Sequence, residues 1–443
     1  MPETLLSVGL DVGTTSTQLI VSRLAIENRA GSFSVPEMDI TQRQVLYKGQ
    51  VHFTPLLDEA RVDAQALRKL VDEEYTCAGI RREDVDTGAI IITGETSRKE
   101  NARAVLAQLS GYAGDFVVAT AGPDLESVLA AKGAGAVALS RDTGKTVLHM
   151  DIGGGTSNLS LIRDGKIEKT GCLNVGGRLL KLDKSGKIYY VSEVLRPISD
   201  LKVGDTPTLQ QLEEVCGILT QALEMAAGLR PANYLLTQLS TAEALPWIPP
   251  REQVLISFSG GVADCIESEG DWLEFGDLGR ILGKAIRKSL LCAGEYALGK
   301  ETIRATVIGA GCHSTQLSGS TVYFRNLRFP LTNLRVILVE EEIPEPTEEP
   351  SVLFLKGISS PRYADVAALA RRIADARPNE PILVCVEADM AKALGQCLAG
   401  LLPLDREILC IDRVRLSPES YLDVGAPVGP ALPVVVKTLV LER

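Results

Sequence analysis

The stretch Gly9-Leu10-Asp11-Val12-Gly13-Thr14-Thr15-Ser16-Thr17 closes an apolar N-terminal strand, and Met150-Asp151-Ile152-Gly153-Gly154-Gly155-Thr156-Ser157-Asn158 repeats its plan far downstream. Each is a strand that ends in Asp, followed by a Gly-rich reversal that carries hydroxyls. Gly13 lets backbone N–H groups approach phosphate oxygens, Thr14 and Thr15 add hydroxyl donors, and Asp11 can hold a magnesium ion through water. Taken alone, this first turn is equally well a polar β-hairpin capped by Asp. The second is more specific, because three consecutive glycines cost conformational entropy that a plain turn has no need to spend. There the glycine amides and Thr156 would face the β- and γ-phosphates, while Asp151 orients the attacking water or the metal. Two such turns read as a clamp on a magnesium-complexed polyphosphate held between two lobes.

Outward from these turns, strands are expected over 5–10, 18–23, 44–53, 89–93 and 116–119, with helices over 63–78 and 100–109. An Ala-rich helix over 125–138 carries Gly133 and Gly135 and has to pack tightly on a neighbour. The strand–turn–strand plan recurs near residue 150, with a hairpin through Asp164-Gly165. An amphipathic helix spans 208–227 with Leu209, Leu212, Val215, Leu219 and Leu223 on one face. A buried strand over 254–258 ends in Ser259-Gly260-Gly261, a helix covers 278–291, and a strand over 302–308 leads into Gly309-Ala310-Gly311. Each Gly-rich element thus falls at a strand's carboxyl end, where ligands bind in α/β sheets. The acidic, Pro-rich run over 340–350 reads as an extended linker. Beyond it β and α segments alternate to the end. The expected division is 1–145 and 146–338 for two lobes, 339–351 for the linker and 352–443 for a small third α/β unit.

Composition narrows the function classes. The chain has 443 residues, more than one core usually organises, and 45% hydrophobic with 23% charged residues is a globular balance. A net charge of −11 repels a phosphate backbone, and no basic run offsets it, so nucleic acid is not expected as a partner. No stretch approaches the roughly 20 apolar residues of a membrane span, and no basic leader with an apolar core opens the sequence, so a cytoplasmic location and no membrane contact are expected. The nine cysteines form no C-x-x-C pair, which leaves zinc ribbons and iron–sulfur clusters unsupported, and His52, His149 and His313 are each read as structural. Gly144-Lys145-Thr146 ends like a P-loop, but Leu139 stands where the first glycine belongs. Gly133 to Ala138 mimics a dinucleotide fingerprint but ends a helix, and Lys284, Arg287 and Lys288 read as a solvated helix face.

Five elements in order resemble the actin, sugar-kinase and heat-shock-chaperone ATPase superfamily. The run 11–17 resembles its first phosphate loop, 126–135 its first connecting helix, and 151–156 its second phosphate loop. Ser259-Gly260-Gly261 resembles its adenosine motif and Gly309-Ala310-Gly311 its second connecting helix. The resemblance implies a two-lobed actin-like ATPase fold of ribonuclease-H-like lobes. It implies that Gly260 and Gly261 let adenosine approach the backbone and that Glu126 is a metal- or water-positioning carboxylate, although Glu126 also suits the first turn of a helix. Val175-Gly176-Gly177 resembles the double-Gly turn that follows the second phosphate loop, or is a plain tight turn. The implied catalytic set is Asp11, Asp151 and Glu126. Gly13, Thr14, Thr15, Gly153, Gly154, Gly155, Thr156, Gly176, Gly177, Gly260, Gly261, Gly309 and Gly311 would contact ATP, with Asp11 and Asp151 at Mg2+.

Over its full length the chain also resembles the ethanolamine ammonia-lyase reactivating factors. The likeness is carried by 9–17, by Ile91-Ile92-Thr93-Gly94-Glu95-Thr96-Ser97-Arg98-Lys99-Glu100-Asn101-Ala102, by Ala121-Gly122-Pro123-Asp124-Leu125-Glu126-Ser127, by Tyr421-Leu422-Asp423-Val424-Gly425 and by Pro433 to Leu439. It implies an ATP- and magnesium-driven, chaperone-like factor that releases damaged cobalamin from the lyase so that adenosylcobalamin can rebind. The partner would be ethanolamine ammonia-lyase, with the cofactor met only through that client, since no D-x-H-x-x-G signature surrounds any histidine. Association with a bacterial microcompartment and self-association stay open. An actin-branch filament or cell-division scaffold and a small-molecule kinase are the alternatives within the fold.

Overall fold

The computed structural model describes residues 3–13, 16–28, 38–58, 61–93, 101, 105, 109, 118–120, 123–241, 247–313, 315–318, 321–340, 342–345, 350–358, 360–414, 416, 420–427 and 431–438. The β-branched and aliphatic run at the start folds as the strand Glu3–Val12, which pairs antiparallel with Ser16–Asn28. Met38–Lys48 extends the hairpin, while Thr87–Ile92 and then Val118–Thr120 add in parallel on the other side. Numbered along the chain, the five strands stand in the order 3-2-1-4-5. Strands buried on both faces read as near-continuous apolar runs, as Ala89-Ile90-Ile91-Ile92 does. The helix Ala64–Ala78 covers one face with Leu67, Val71 and Tyr75; Asp63 caps its start and Gly79, left-handed at φ 67°, ends it.

The second lobe repeats the arrangement. Val147–Ile152 and Ser157–Arg163 form the central hairpin, Lys166–Leu173 extends it, and Leu255–Ser259 and Tyr296–Leu298 add in parallel, again in the order 3-2-1-4-5. Its core is larger, with the amphipathic helix Leu209–Ala226 burying Leu212, Val215, Leu219 and Leu223 against Gly279–Arg287. The matched strand order and pairing sense make this the two-lobed actin-like architecture.

Two helices join the lobes. Pro123–Gly133 leaves the first sheet and enters the second lobe, and Ala305–His313 returns from the second lobe to lie on Glu3–Val12. The sequence expectation of a strand over 302–308 is corrected here, since Thr306, Val307 and Ile308 lie on the helix. With it falls the placement of Gly309 and Gly311 at a strand end. The two helices cross where a Cβ on Gly133 would overlap the Ala305 carbonyl and one on Gly309 would overlap that of Leu129. Gly9 and Gly311 meet in the same way, where a Cβ on Gly9 would stand 2.6 Å from the Val307 oxygen. The tight neighbour demanded by the glycines of the Ala-rich helix is therefore this second helix. The expected single helix over 125–138 is two, Pro123–Gly133 and Ala136–Thr143, divided at Gly135 with φ 83°.

A third, eight-stranded sheet is built around four parallel strands, Leu331–Leu338, Ser351–Leu355, Ile382–Val386 and Ile408–Asp412. The helices Tyr363–Ala376 and Ala391–Leu401 pack on one face. Thr315–Leu317, Tyr323–Arg325 and Leu331–Leu338 all belong to this sheet, so it begins well before residue 352. The acidic run joins two neighbouring parallel strands of one sheet rather than lying between separate units. The expected helix over 100–109 lies mostly outside the described residues.

Candidate functional site

Asp11 and Asp151 occupy matching positions. Each stands on the first strand of its lobe, and the next residue but one is a glycine whose N–H closes the turn: Gly13 donates to the Ser16 carbonyl and Gly153 to the Thr156 carbonyl, both at 2.9 Å. Each carboxylate accepts from a hydroxyl at the end of the neighbouring parallel strand. Thr93 Oγ1 donates to Asp11 Oδ1 at 2.9 Å, and Ser259 Oγ donates to Asp151 Oδ1. The antiparallel register sets Gln18 opposite Asp11 and Asn158 opposite Asp151. Gln18 Oε1 and Asn158 Oδ1 are both buried with no hydrogen-bond partner among the described residues.

These groups face one cleft of about 350 Å³ between the lobes. Asp11, Gly13, Gln18, Thr93, Glu126, Asp151, Gly153, Gly154, Gly155, Thr156, Asn158, Gly177, Gly260 and Gly261 line it. Gly155 has no atom within 4 Å of where a Cβ would stand, so its backbone faces open space. Gly260 is left-handed at φ 86°, and any Cβ there would strike Ile152, which explains why the turn after Leu255–Ser259 demands glycine. The walls beyond the turns carry residues that motif reading passed over. Arg280 binds Glu274 and Ser268 and lies 5.0 Å from the Phe275 ring. Arg178 donates to Asp277 Oδ2 at 3.1 Å and reaches over the Phe53 ring of the other lobe at 5.9 Å. Gln18 Nε2 donates to the Ile303 carbonyl at 3.1 Å and Arg304 to that of Gly49 at 3.1 Å, which tie the cleft's two sides together.

The electrostatics follow from burial. Removal from water pushes the Asp11 carboxyl up to about 7; the Thr93 hydrogen bond opposes this and the negative charge of Asp151 adds to it. Asp151 is pushed up to about 6 by burial, against the hydrogen bonds from Ser259 and Thr306. Two buried carboxylates that repel one another are costly to ionise unless a cation joins them.

The cleft residues fit a magnesium–nucleotide complex on this structure's own evidence. Two orphaned amide oxygens beside two aspartates are oxygen ligands of the kind a hydrated Mg2+ takes through its water shell. The open backbone of Gly155 leaves room beside the second turn for a phosphate oxygen. Among the described residues no three His, Cys, Asp or Glu side chains converge as a direct metal-binding group.

Of the sequence-derived set, Thr14 and Thr15 lie outside the described residues. Gly309 and Gly311 do not line the cleft: Gly309 lies at the crossing with Pro123–Gly133 and Gly311 against Gly9 of the first strand, where their missing side chains allow backbone approach. Gly176 supports the site from beneath, where its Cβ would strike Gly154, and Gly177 N–H donates to the Gly153 carbonyl at 3.0 Å. Thr93, Gln18, Ser259 and Asn158 had a readable signal. Gln18 and Asn158 each follow their Asp by seven residues, the spacing that a tight hairpin turn places directly across the ladder. Arg178, Asp277, Arg280 and Phe275 had none, since packing alone brings them to the cleft.

Comparison with known proteins supplies a family. The sequence profile described as "Ethanolamine utilisation protein EutA" matches residues 3–351 and 342–442. The Ethanolamine ammonia-lyase reactivase EutA of Salmonella typhimurium is 37% identical over 466 aligned residues, covering 98% of each chain. The protein of the same name from Escherichia coli is 39% identical, also over 98% of each. Among solved structures, the Aquifex aeolicus PPX-GPPA enzyme aligns with 69% of this chain and 99% of its own, at a TM-score of 0.43 and 12% identity.

Proposed function

The chain belongs to the family of the ethanolamine utilisation protein EutA, and from that premise we propose that it is an ATP- and magnesium-dependent reactivating factor for ethanolamine ammonia-lyase. The observation that carries the nucleotide half is the matched pair of aspartate turns, Asp11 to Ser16 and Asp151 to Thr156, facing one cleft from opposite lobes. The client half is carried by identity across 98% of each chain to proteins named as reactivases.

The bound nucleotide supplies a phosphoanhydride whose hydrolysis is strongly downhill. The chain's own residues bind and orient. The N–H groups of Gly154, Gly155 and Thr156 hold phosphate oxygens from the second lobe, and the turn at Gly13 closes on them from the first. Asp11, Asp151, Gln18 and Asn158 are the oxygen donors that would hold a magnesium ion, which would neutralise the phosphate charge. Asp151 and Glu126 orient water for attack, and Gly260 and Gly261 admit the adenosine. Contacts from both lobes favour the closed arrangement, and their loss favours the open one. Closure turns about the crossing of Pro123–Gly133 with Ala305–His313. A client surface bound in one arrangement alone would then be pulled or released, opening the lyase so that damaged cobalamin leaves and adenosylcobalamin rebinds. The chain meets the corrinoid only through its client, in the cytoplasm or in a microcompartment that holds the lyase. Among the described residues no helix is long and apolar enough to cross a membrane.

The test is recovery of ethanolamine ammonia-lyase that has been trapped with an inactive cobalamin. This chain, ATP, Mg2+ and fresh adenosylcobalamin are added, with and without ATP. ATP-dependent recovery is expected. ATP hydrolysis without recovery would reject the client, and recovery indifferent to ATP would reject the engine.

A further inference from the structure

His149 is fully buried, two residues before Asp151 on the same strand and the same face. Its ring lies between two hydroxyls of the neighbouring parallel strand. Ser257 Oγ is 3.2 Å from Nδ1 and Ser259 Oγ is 2.9 Å from Nε2. Ser259 also donates to Asp151 Oδ1. A hydroxyl has one proton, so when Asp151 is ionised Ser259 can only accept from His149. Nε2 therefore carries the ring hydrogen, and Nδ1 accepts from Ser257. The bonds run one way, from Ser257 through His149 and Ser259 to Asp151. A neutral imidazole has one N–H and one lone pair, which these two contacts use.

We propose that His149 is a positioning residue for Asp151: its Nε2–H fixes the Ser259 hydroxyl on Oδ1 and so sets the carboxylate's orientation toward the cleft. Among the described residues the other oxygen, Oδ2, is met by Thr306 Oγ1 at 3.5 Å, a long contact that cannot hold the group by itself. Hydrogen-bonded chains polarise along their length, so each donor strengthens the next. Asp11 has no such chain, because Gly9 occupies the place of His149. Motif reading assigns His149 to structure because nothing in the sequence shows Ser257 and Ser259 beside it; the parallel register of two strands a hundred residues apart does.

The inference rests on the ATP-cleft reading and is tested so that the two can fail separately. Turnover of ATP is measured for the wild type, His149→Leu, Ser259→Ala and the double variant. His149→Leu is expected to lower kcat about tenfold with KM for ATP within about twofold, and to cause no further loss once Ser259 is Ala. His149→Gln, which returns an N–H near Nε2, is expected to recover most of kcat. An equal loss from His149→Leu in both backgrounds, or no loss at all, would overturn the proposal. If the Leu variant does not fold, long-range 15N–1H spectra of the wild type, which has only three histidines, decide. The Nε2–H tautomer is expected and the Nδ1–H tautomer rejects it. A wild type that turns over no ATP fails the cleft reading instead, and the tautomer alone then judges His149.

Discussion

The two lobes share a strand order and a turn, yet the ground beneath their aspartates differs. In the first lobe the position two residues before Asp11 is Gly9, and the helix Ala305–His313 lies directly on it. In the second lobe the matching position is His149, joined through Ser259 to Asp151. The frame places both carboxylates alike because each ends the first strand of a 3-2-1-4-5 sheet. What packs behind each strand gives the two different support. Asp11 stands over the pivot between the lobes, whereas Asp151 stands at the end of a buried polar chain. Equivalent positions in a repeated fold can thus couple one carboxylate to domain motion and the other to fixed orientation.

The sharpest way to break the comparison is at the aspartates, where the lobes are treated as equals. Asp11→Asn and Asp151→Asn should each lower ATP turnover by about 10²- to 10³-fold while circular dichroism stays native. Wild-type turnover in either variant would end the paired-clamp assignment.

Next is the pivot. Gly133→Val should destabilise the fold by about 3 kcal/mol, because its side chain would have to occupy the space of the Ala305 carbonyl. Gly155→Ala, whose Cβ meets nothing within 4 Å, should leave Tm unchanged and weaken nucleotide binding. Calorimetry with and without nucleotide separates the two, and equal stability losses would erase the distinction between pivot and cradle.

A smaller effect is expected from the orphaned oxygens. Asn158→Leu should stabilise the ligand-free protein by about 1 kcal/mol by removing a buried unsatisfied acceptor, whereas Gln18→Leu also loses the Nε2 bond to the Ile303 carbonyl and should gain nothing; both should weaken Mg2+–nucleotide binding by titration calorimetry. Destabilisation by Asn158→Leu would reverse that difference between the lobes.

The pH dependence tests both carboxyls together. Burial holds the folded-state Asp11 and Asp151 carboxyls at about 7 and about 6, above the usual carboxylate value of about 4. Their protonated forms therefore contribute stability that is fully present below about pH 4 and is lost as pH rises through about 6 to about 7. The ligand-free wild type should lose more Tm between about pH 5 and about pH 8 than the Asp11→Asn, Asp151→Asn double variant does. Parallel curves would show that the two carboxyls are ionised at no cost.

Much of this was legible in the residues. A strand ending in Asp, a Gly-rich reversal and a second copy near residue 150 are local features. Their chemistry follows from glycine's freedom and the hydroxyls beside it. The glycines at 133 and 135 signalled tight packing, and a close neighbour is present at Gly133. The expectation failed at 302–311 because a short apolar run with glycines suits a strand and a buried helix equally. There, packing against Gly133 and Gly9 selects the helix. It failed again at 339–351, where Pro and Glu mark an extended, solvated path but cannot say whether that path separates two units or joins adjacent strands.

The sequence by itself determined the pair of phosphate-type turns, their aspartates and the family, because these depend on residue types at short, fixed spacings. Only the tertiary structure decided which side chains stand behind those aspartates. Parallel pairing of Leu255–Ser259 with Val147–Ile152 brings Ser257 and Ser259 to His149, and the packing of Ala305–His313 on Pro123–Gly133 and on Glu3–Val12 turns Gly309 and Gly311 from expected ligand contacts into points of backbone approach. Those contacts join residues a hundred or more positions apart, and their partners are chosen by the burial of whole strands and helices rather than by any local signal.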